Sequence, residues 1–320
     1  MGVLVDGQWH RGDHLAKTEQ GAFVRPDSTF RHWITLDGAP GPTGKGGFKA
    51  EAGRYHLYIS LACPWAHRAL IFRQLKGLKD MISLSVVNWL MLEEGWTFAP
   101  AAGVIADPIH HADFLWQVYT ASDPAFSGRV TVPVLWDKQR GEIVNNESAD
   151  IIRMFNSAFD GIGARAGNYY PAALRSEIDM LNARIYTTLN NGVYRSGFAA
   201  TQAAYEAAVV PLFDTLDWLE ARLENQTYLC GDVLTESDWR LFATLIRFDP
   251  VYFGHFKCNI RRIKDYKNLS RYLKHLCHFE HVYETIDLVH IKGHYYSSHR
   301  HLNPSGVIPV GPDMGDILLM

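Results

Sequence analysis

Residues 55–68 read Tyr55-His56-Leu57-Tyr58-Ile59-Ser60-Leu61-Ala62-Cys63-Pro64-Trp65-Ala66-His67-Arg68. The first five residues form a short β-type run, and Ser60 to Pro64 are typical of a turn. From Ala66 onward the apolar residues recur at helical spacing, and Pro64 is well suited to a first helical turn. This stretch therefore predicts a strand, a turn and a helix in that order, with Cys63 at the start of the helix.

The sequence that follows extends this unit into a sheet. We expect a second strand at 82–87, then a hairpin with strands at 134–136 and 142–144, then a helix at 147–155. The order β-α-β followed by β-β-α is the thioredoxin-like arrangement. Residues 88–128 form an insertion between its two halves, and a loop of that length is usually functional.

The chain has 320 residues, which at roughly 150 residues per domain predicts two domains or one domain with extensions. The predicted division is an N-terminal arm at 1–50, a thioredoxin-like domain at 51–165, an all-helical domain at 170–289 and a C-terminal tail at 290–320. The fold class is therefore α/β plus all-α, with extended arms at both ends.

The predicted helical domain carries its own local signals. Apolar spacing predicts helices at 174–189 and 204–223, the second with a kink at Pro211. Thr235 and Asp238 have the spacing of a capping box that begins another helix. In the tail the sequence becomes irregular and rich in aromatic residues and histidine.

Composition excludes several classes of protein. The net charge is -3 and no dense tract of Lys and Arg occurs, so a nucleic-acid binder is not expected. No run of about 18 apolar residues is present, and residues 1–6 lack the pattern of an export signal. We therefore expect a cytoplasmic protein with no membrane partner. The tail histidines lack a standard ligand spacing, so no metal is expected.

Among the four cysteines, one stands in a position that activates a thiol. Cys63 lies where a strand passes into a helix, and the N–H groups and dipole of a helix start stabilise a thiolate. The alternative for Cys63 is a buried, inert thiol. We expect that inert state for Cys230, Cys258 and Cys277, which form no C-x-x-C pair.

Ala66 stands where a dithiol oxidoreductase places its second cysteine. Cys63 therefore has no internal resolving thiol, and an external thiol must take that role. In the cytoplasm the obvious candidate is glutathione.

Two further motifs suit a glutathione site. Val132-Pro133 precedes a predicted strand, where a cis proline leaves the Val132 backbone to pair with a bound peptide. A trans proline on an edge strand is the alternative. Glu147-Ser148 begins the next helix, where Ser148 and the N–H groups can hold a γ-glutamyl carboxylate while Glu147 takes the ammonium group. Simple capping is the alternative there.

Together these motifs resemble those of glutathione transferases, specifically the Xi class, the glutathionyl-hydroquinone reductases. The resemblance rests on residues 63–68, 128–137 and 146–155, with the arm at 23–26 and the tail at 291–296. It implies the glutathione transferase fold and a homodimer. It also implies that glutathione reduces glutathionyl-hydroquinones, with release of hydroquinone and glutathione disulfide.

The resemblance assigns roles to individual residues. Cys63 matches the family's nucleophile and Tyr194 its proton donor, while Tyr252 and Tyr295 match hydroxyls that assist the thiolate. The positions that match its glutathione site are Trp96, Arg129, Val130, Thr131, Val132, Glu147 and Ser148. For Tyr194 an aromatic packing role is the alternative, and Tyr296 is the alternative to Tyr295.

Two other functions stay open at this point. An Omega-like thioltransferase or dehydroascorbate reductase shares the first half-reaction but needs no proton donor, because a disulfide already contains a good thiolate leaving group. A non-enzymatic binding protein of the same fold is the other. The absence of a glutathione adduct on Cys63 would indicate it.

Overall fold

The computed structural model describes residues 2–12 and 15–318 of the chain. Contacts divide these residues into two compact units. The sheet unit contains residues 2–12, 27–167 and 285–300, and the helical unit contains residues 15–26, 168–284 and 301–318. Each unit is thus assembled from three separate stretches. The domain boundaries expected from the sequence stay predictions.

The sheet unit contains a short hairpin and a four-stranded sheet. The strands are β1 (Val3–Val5), β2 (Gln8–His10), β3 (Tyr55–Ile59), β4 (Ile82–Val86), β5 (Val134–Asp137) and β6 (Glu142–Asn145). The order in the larger sheet is β4-β3-β5-β6. β3 is parallel to β4 and antiparallel to β5, and β5 and β6 are antiparallel. The predicted β-α-β and β-β-α order is confirmed.

The central strand β3 explains why this sheet forms the core of its unit. All five of its residues are buried, as expected for a strand with neighbours on both edges and covered faces. A parallel pair needs a crossover connection, and α1 (Pro64–Leu75) provides it between β3 and β4. The start of α1 therefore lies at the carboxyl end of the central strand, where Cys63 is placed.

The sheet unit has three further helices, α2 (Leu115–Ser122), α3 (Ser148–Ser157) and α10 (Leu288–Ser298). Two of them correct expectations from the sequence. The insertion at 88–128 is not all loop, because it contains α2. The tail is not irregular from His290, because His290 lies in the first turn of α10. Asp287 is the N-cap of this helix, and its carboxylate accepts from the His290 N–H at 2.8 Å.

The helical unit has the remaining helices. They are α4 (Arg175–Ile185), α5 (Gly192–Gly197), α6 (Gln202–Arg222), α7 (Glu236–Arg247), α8 (Phe253–His255), α9 (Lys267–Cys277) and α11 (Gly315–Leu318). Single π-type turns at Tyr186–Asn190 and Phe248–Tyr252 follow α4 and α7. Short 3₁₀ turns lie at Asp160–Ile162 in the sheet unit, and at Ala172–Leu174 and Ile263–Asp265 here.

The local helix signals read from the sequence are present. The capping box is confirmed: Thr235 is the N-cap of α7, and its N–H donates to Asp238 Oδ2 at 2.8 Å. Pro211 lies inside α6, which continues past it to Arg222. The kink expected at Pro211 stays a prediction. Over the described residues, no helix is both long and apolar enough to cross a bilayer.

Candidate active site

Cys63 is the N-cap of α1, with Pro64 as the first helical residue. The Ser60 carbonyl accepts from the Cys63 N–H at 3.2 Å, which closes the turn between β3 and α1. The thiol is half-buried and donates to the Val132 carbonyl oxygen at 3.6 Å. Only a protonated sulfur makes this last bond, whereas the helix start favours the thiolate. The thiol therefore has a carbonyl acceptor in Val132, and the dipole of α1 is the feature that favours its ionised form.

The segment that faces Cys63 is held by a tyrosine of the insertion. The Val132-Pro133 peptide bond is cis, as expected from the sequence. Next to it, Tyr119 of α2 donates to the Thr131 carbonyl oxygen at 2.9 Å and accepts from the Thr131 N–H at 3.2 Å. The Asn146 side chain donates to the same phenol oxygen at 3.2 Å. Tyr119 thus ties the cis-proline segment to the residues that precede α3.

Tyr119 was missed by sequence reasoning, because no helix was expected in the insertion. The spacing of Leu115, Val118 and Tyr119, which are buried on one side of α2, is the signal that could have indicated it. Tyr119 is fully buried, and desolvation raises the pKa of its phenol. The phenol therefore stays protonated at neutral pH and keeps its donor for the Thr131 carbonyl.

The start of α3 is the second part of the site. Glu147 is its N-cap, and Oε1 accepts from the Ala149 N–H at 3.0 Å while Oε2 accepts from Ser28 Oγ at 3.0 Å. Ser148 Oγ accepts from Arg68 Nη1 at 3.3 Å. Both predicted ligand residues therefore also have structural contacts, and the capping role that the sequence left open for Glu147 is present.

Arg68 connects the two helix starts, and its role was also missed. It is 1% exposed, and its guanidinium carbon lies 4.5 Å from the Trp65 ring centre. Because it reaches Ser148 across 80 positions of sequence, nothing near it in the chain indicated this partner. A buried cation at this point favours an anion at the start of α3.

Trp96, in the insertion, is packed against the helix that follows Asp287. Its ring stacks on His294 of α10, with centroids 4.8 Å apart and planes 23° from parallel. His294 Nδ1 lies 2.9 Å from the Trp89 carbonyl oxygen, so the ring carries its proton there. The Met91 N–H donates to Ser298 Oγ at 3.0 Å. Helix α10 therefore fixes the loop that carries Trp96.

Tyr295 lies on the same helix and is buried, with its ring edge-on to His294 at 5.3 Å and to His299 at 5.4 Å. Tyr296 is half-buried. The choice of Tyr295 as a thiolate-assisting hydroxyl stays a prediction.

Among the described residues, no three His, Cys, Asp or Glu side chains gather in a group that could hold a metal ion.

Tyr194 and Tyr252 are brought together in the helical unit. Tyr194 lies on α5 and is 9% exposed, and its ring centre is 6.2 Å from that of Tyr252. Phe256 contacts both, at 5.4 Å from Tyr194 and stacked on Tyr252 at 5.5 Å. The structure therefore groups the predicted proton donor with one of the predicted assisting hydroxyls.

The remaining cysteines differ from Cys63 in their surroundings. None of the four, all of which are described, is in a disulfide. Burial raises the pKa of Cys230 to about 11, of Cys258 to about 12 and of Cys277 to about 11. These thiols are protonated and shielded, which agrees with the inert state expected from the sequence.

Known families match both halves of the chain. A family model described as Glutathione S-transferase, N-terminal domain matches residues 62–158, and one described as Glutathione S-transferase, C-terminal domain matches residues 202–275. The glutathionyl-hydroquinone reductase PcpF of Sphingobium chlorophenolicum is 57% identical over 312 residues, covering 98% of this chain and 96% of that protein.

The glutathionyl-hydroquinone reductase YqjG of Escherichia coli is 56% identical over 313 residues, covering 98% of this chain and 95% of that protein. Its glutathione-bound structure has a TM-score of 0.91 and covers 98% of this chain and 96% of that one. The glutathione-S-transferase Xi of Phanerochaete chrysosporium has a TM-score of 0.88 at 49% identity, covering 92% and 99%. The chain belongs to the Xi class of glutathione transferases.

For this Xi-class chain the predicted fold, a thioredoxin-like domain with a helical domain, is confirmed. The roles of individual residues are a separate matter. Cys63, the Val132 segment and the start of α3 are parts of one unit, and Tyr194 and Tyr252 are parts of the other. Their roles in the Xi-class chemistry stay predictions.

Proposed function

We propose that this chain is a glutathionyl-hydroquinone reductase, which uses glutathione to release hydroquinone from its glutathione conjugate. The proposal rests on Cys63 at the start of α1, beside the Val132 carbonyl and with Ala66 in place of a resolving cysteine. Such a monothiol needs an external thiol. The relatives PcpF and YqjG, at 57% and 56% identity, both have this activity in their names.

In this proposal glutathione binds along the sheet unit. Val132 pairs with its peptide backbone, and the start of α3 receives its γ-glutamyl group, with Ser148 at the carboxylate and Glu147 at the ammonium. Trp96 and the residues from Arg129 to Thr131 complete the site. Support comes from Tyr119 and Arg68, which hold the cis-proline segment and Ser148 in place.

The chemical problem is the bond between sulfur and an aromatic carbon. Direct attack by Cys63 on the glutathione sulfur would expel an aryl carbanion, which is a very poor leaving group. We propose that Tyr194 first delivers its proton to the ring carbon that bears sulfur, while a hydroxyl group of the hydroquinone loses a proton. The keto tautomer that results has the same composition as the substrate.

Cleavage then follows without an aryl carbanion. The Cys63 thiolate attacks the glutathione sulfur, the carbon–sulfur bond breaks, and its electron pair restores the aromatic ring as a phenolate, which takes up a proton. A second glutathione, as thiolate, attacks the mixed disulfide and releases glutathione disulfide and the Cys63 thiolate. The scheme predicts ping-pong kinetics. Tyr252 and Tyr295 assist the thiolate in this scheme.

The test is to incubate the protein with a glutathionyl-hydroquinone and excess glutathione and to measure free hydroquinone and glutathione disulfide by chromatography. We expect equal amounts of the two products. Cys63→Ser is the control and should release neither, because its hydroxyl forms no disulfide. If the wild-type chain releases no hydroquinone, the proposal fails.

An Omega-like thioltransferase is the alternative function. A variant of Tyr194 distinguishes it from a glutathionyl-hydroquinone reductase. Positioned acid catalysis contributes roughly 10² to 10⁴-fold, so Tyr194→Phe should slow hydroquinone release by that order. The same variant should reduce a glutathione mixed disulfide at nearly the wild-type rate, because that substrate needs no acid. Equal effects on both substrates would contradict the role of Tyr194.

The proposal also includes a homodimer and a cytoplasmic location.

A further inference from the structure

Arg25, in the N-terminal arm, lies directly over the ring of Tyr194. Its guanidinium carbon is 4.8 Å from the Tyr194 ring centre, and both residues belong to the helical unit. Its Nε donates to Asn191 Oδ1 at 2.7 Å. A guanidinium at this distance interacts with the electron-rich face of an aromatic ring.

The local structure holds Arg25 in this place. Asn191 precedes Tyr194 by three residues at the start of α5, a spacing that puts both side chains on one face of the helix. The Arg25 guanidinium also lies 5.7 Å from the ring centre of Phe23, which packs edge-on against Phe198 at 5.3 Å. The hydrogen bond and the two rings therefore fix the orientation of the cation.

The arm itself is anchored to the same helices. The Ala200 N–H donates to the Gly21 carbonyl oxygen at 3.0 Å, and Thr201 Oγ1 donates to the Gln20 carbonyl oxygen at 2.9 Å. Thr201 is the N-cap of α6. These bonds hold the part of the arm that leads to Arg25 against the segment between α5 and α6.

We infer that Arg25 is a positioning residue that stabilises the phenolate left on Tyr194 after it delivers its proton. The inference rests on the proposed function. In the proton transfer the O–H bond of Tyr194 breaks, a C–H bond forms on the substrate ring, and negative charge remains on the phenol. The guanidinium of an arginine side chain is a cation in proteins, so Arg25 opposes that charge throughout the step.

The surroundings of Tyr194 strengthen the effect of the Arg25 charge on its phenolate. Tyr194 is buried, and the rings that pack against it include those of Phe198, Tyr252 and Phe256. Tyr252 is the titratable group among these three. Apolar rings screen a charge less than water does, so the attraction between Arg25 and the phenolate is stronger than on an open surface.

The experiment compares variants that remove the charge with one that keeps it. Arg25→Gln and Arg25→Met should slow hydroquinone release about three- to thirty-fold, the range that corresponds to a cation over an aromatic ring. They should also move the alkaline limb of the pH–rate profile to higher pH. Arg25→Lys should recover most of the rate. Reduction of a glutathione mixed disulfide should be unchanged in all three.

A double variant shows whether Arg25 acts through Tyr194. In a Tyr194→Phe background, Arg25→Gln should cause no further loss. If the single Arg25 variants match wild type while Tyr194→Phe is slow, the inference fails and the proposed function stands. If Tyr194→Phe is itself as fast as wild type, the proton-donor role fails. If Arg25→Lys is as slow as Arg25→Met, charge is not the cause, and the inference fails. Thermal melts identify any variant that does not fold.

Discussion

At the scale of single residues, the four thiols of this chain differ mainly in solvent access and in the groups around them. Cys63 is half-buried at a helix start, whereas burial raises the pKa of the other three to about 11 or 12. Reactivity requires the thiolate and access to it. The three buried cysteines have neither at neutral pH.

We therefore predict that a limiting amount of iodoacetamide at about pH 7 alkylates Cys63 ahead of the other cysteines and abolishes activity. Peptide mass spectrometry measures the modification at each site. Cys230 is the informative comparison, because it is the most accessible of the three buried thiols. Labelling of Cys230 at the same rate as Cys63 would contradict the prediction.

Gly197 is a second residue whose identity matters, because a side chain there collides with the aromatic group around Tyr194. A Cβ at Gly197 would lie 2.2 Å from Phe256 Cδ1, and Phe256 contacts both Tyr194 and Tyr252. Gly192, at the other end of α5, offers a matched control. A Cβ there meets Leu212 at 3.5 Å, which is an ordinary contact.

Gly197→Ala should lower the free energy of unfolding by about 1 to 3 kcal/mol, because it overpacks the core and displaces Phe256. Hydroquinone release should fall more than disulfide reduction, since the rings around Tyr194 shift. Gly192→Ala should stay close to wild type in both measurements. Denaturant unfolding and the two assays check this, and similar stability of the two variants would count against it.

At the scale of elements, α10 fixes the insertion through one side of the helix. His290, His294 and Ser298 are spaced four residues apart and contact Ala102, Trp89 and Met91. Gly293 allows this approach, because a Cβ there would lie 2.8 Å from the Trp89 ring. The loop that carries Trp96 is therefore ordered by a helix from the far end of the chain.

His294→Ala should raise the KM for glutathione about tenfold with a smaller change in kcat, because the loss of the stacked ring lets Trp96 move. Steady-state kinetics with varied glutathione measures both constants. Val289→Ala is the control, since Val289 lies on the same helix and is 69% exposed. An unchanged KM in a folded His294 variant would show that Trp96 does not need this support.

The pairing of β3 with β4 buries a titratable group. His56 on β3 lies between two serines of β4, with Nδ1 at 2.7 Å from Ser83 Oγ and Nε2 at 2.9 Å from Ser85 Oγ. Desolvation lowers the pKa of His56 from 6.5 to about 4, although the Asp107 carboxylate acts in the opposite direction. Burial therefore favours the neutral ring in the folded protein. As a consequence, the unfolded chain binds a proton at His56 more readily than the folded chain does.

The stability that this contributes is fully present above about pH 6.5 and is lost as the pH falls toward about 4. We predict that acidification across this range lowers the free energy of unfolding by about 2 to 3 kcal/mol through His56. His56→Gln should flatten that part of the pH profile. The exposed His10→Gln should leave it unchanged, and denaturant unfolding at several pH values decides between these outcomes.

At the scale of the whole molecule, both compact units are made from distant parts of the sequence. Residues 15–26 of the arm belong with the helical unit, and residues 285–300 belong with the sheet unit. Each unit is therefore held together by contacts between segments that are far apart in the sequence.

Assembly is the prediction that belongs to this scale. The family resemblance implies a homodimer, and light scattering on the purified chain should then give a mass near twice 36.2 kDa. The measurement should be repeated over a range of protein concentrations, since dissociation follows mass action. A mass near 36.2 kDa at the concentrations of the activity assays would contradict the homodimer.

The sequence by itself determined the features that depend on near neighbours. The extended run at β3, the helix start at Cys63, the capping box at Thr235 and the cis bond before Pro133 are present as predicted. Each depends on backbone preferences and side chains within a few positions. The family also followed, because its motifs are short and contiguous.

Only the tertiary structure decided which distant side chains support those motifs. Trp96 stacks on a residue almost two hundred positions away, Arg68 reaches Ser148 across 80 positions, and Arg25 lies over Tyr194. Packing sets these contacts, and a pattern of local propensities contains no information on which faces meet. The residues proposed to carry the chemistry were therefore readable in the chain, whereas the residues that contact them from distant positions were not.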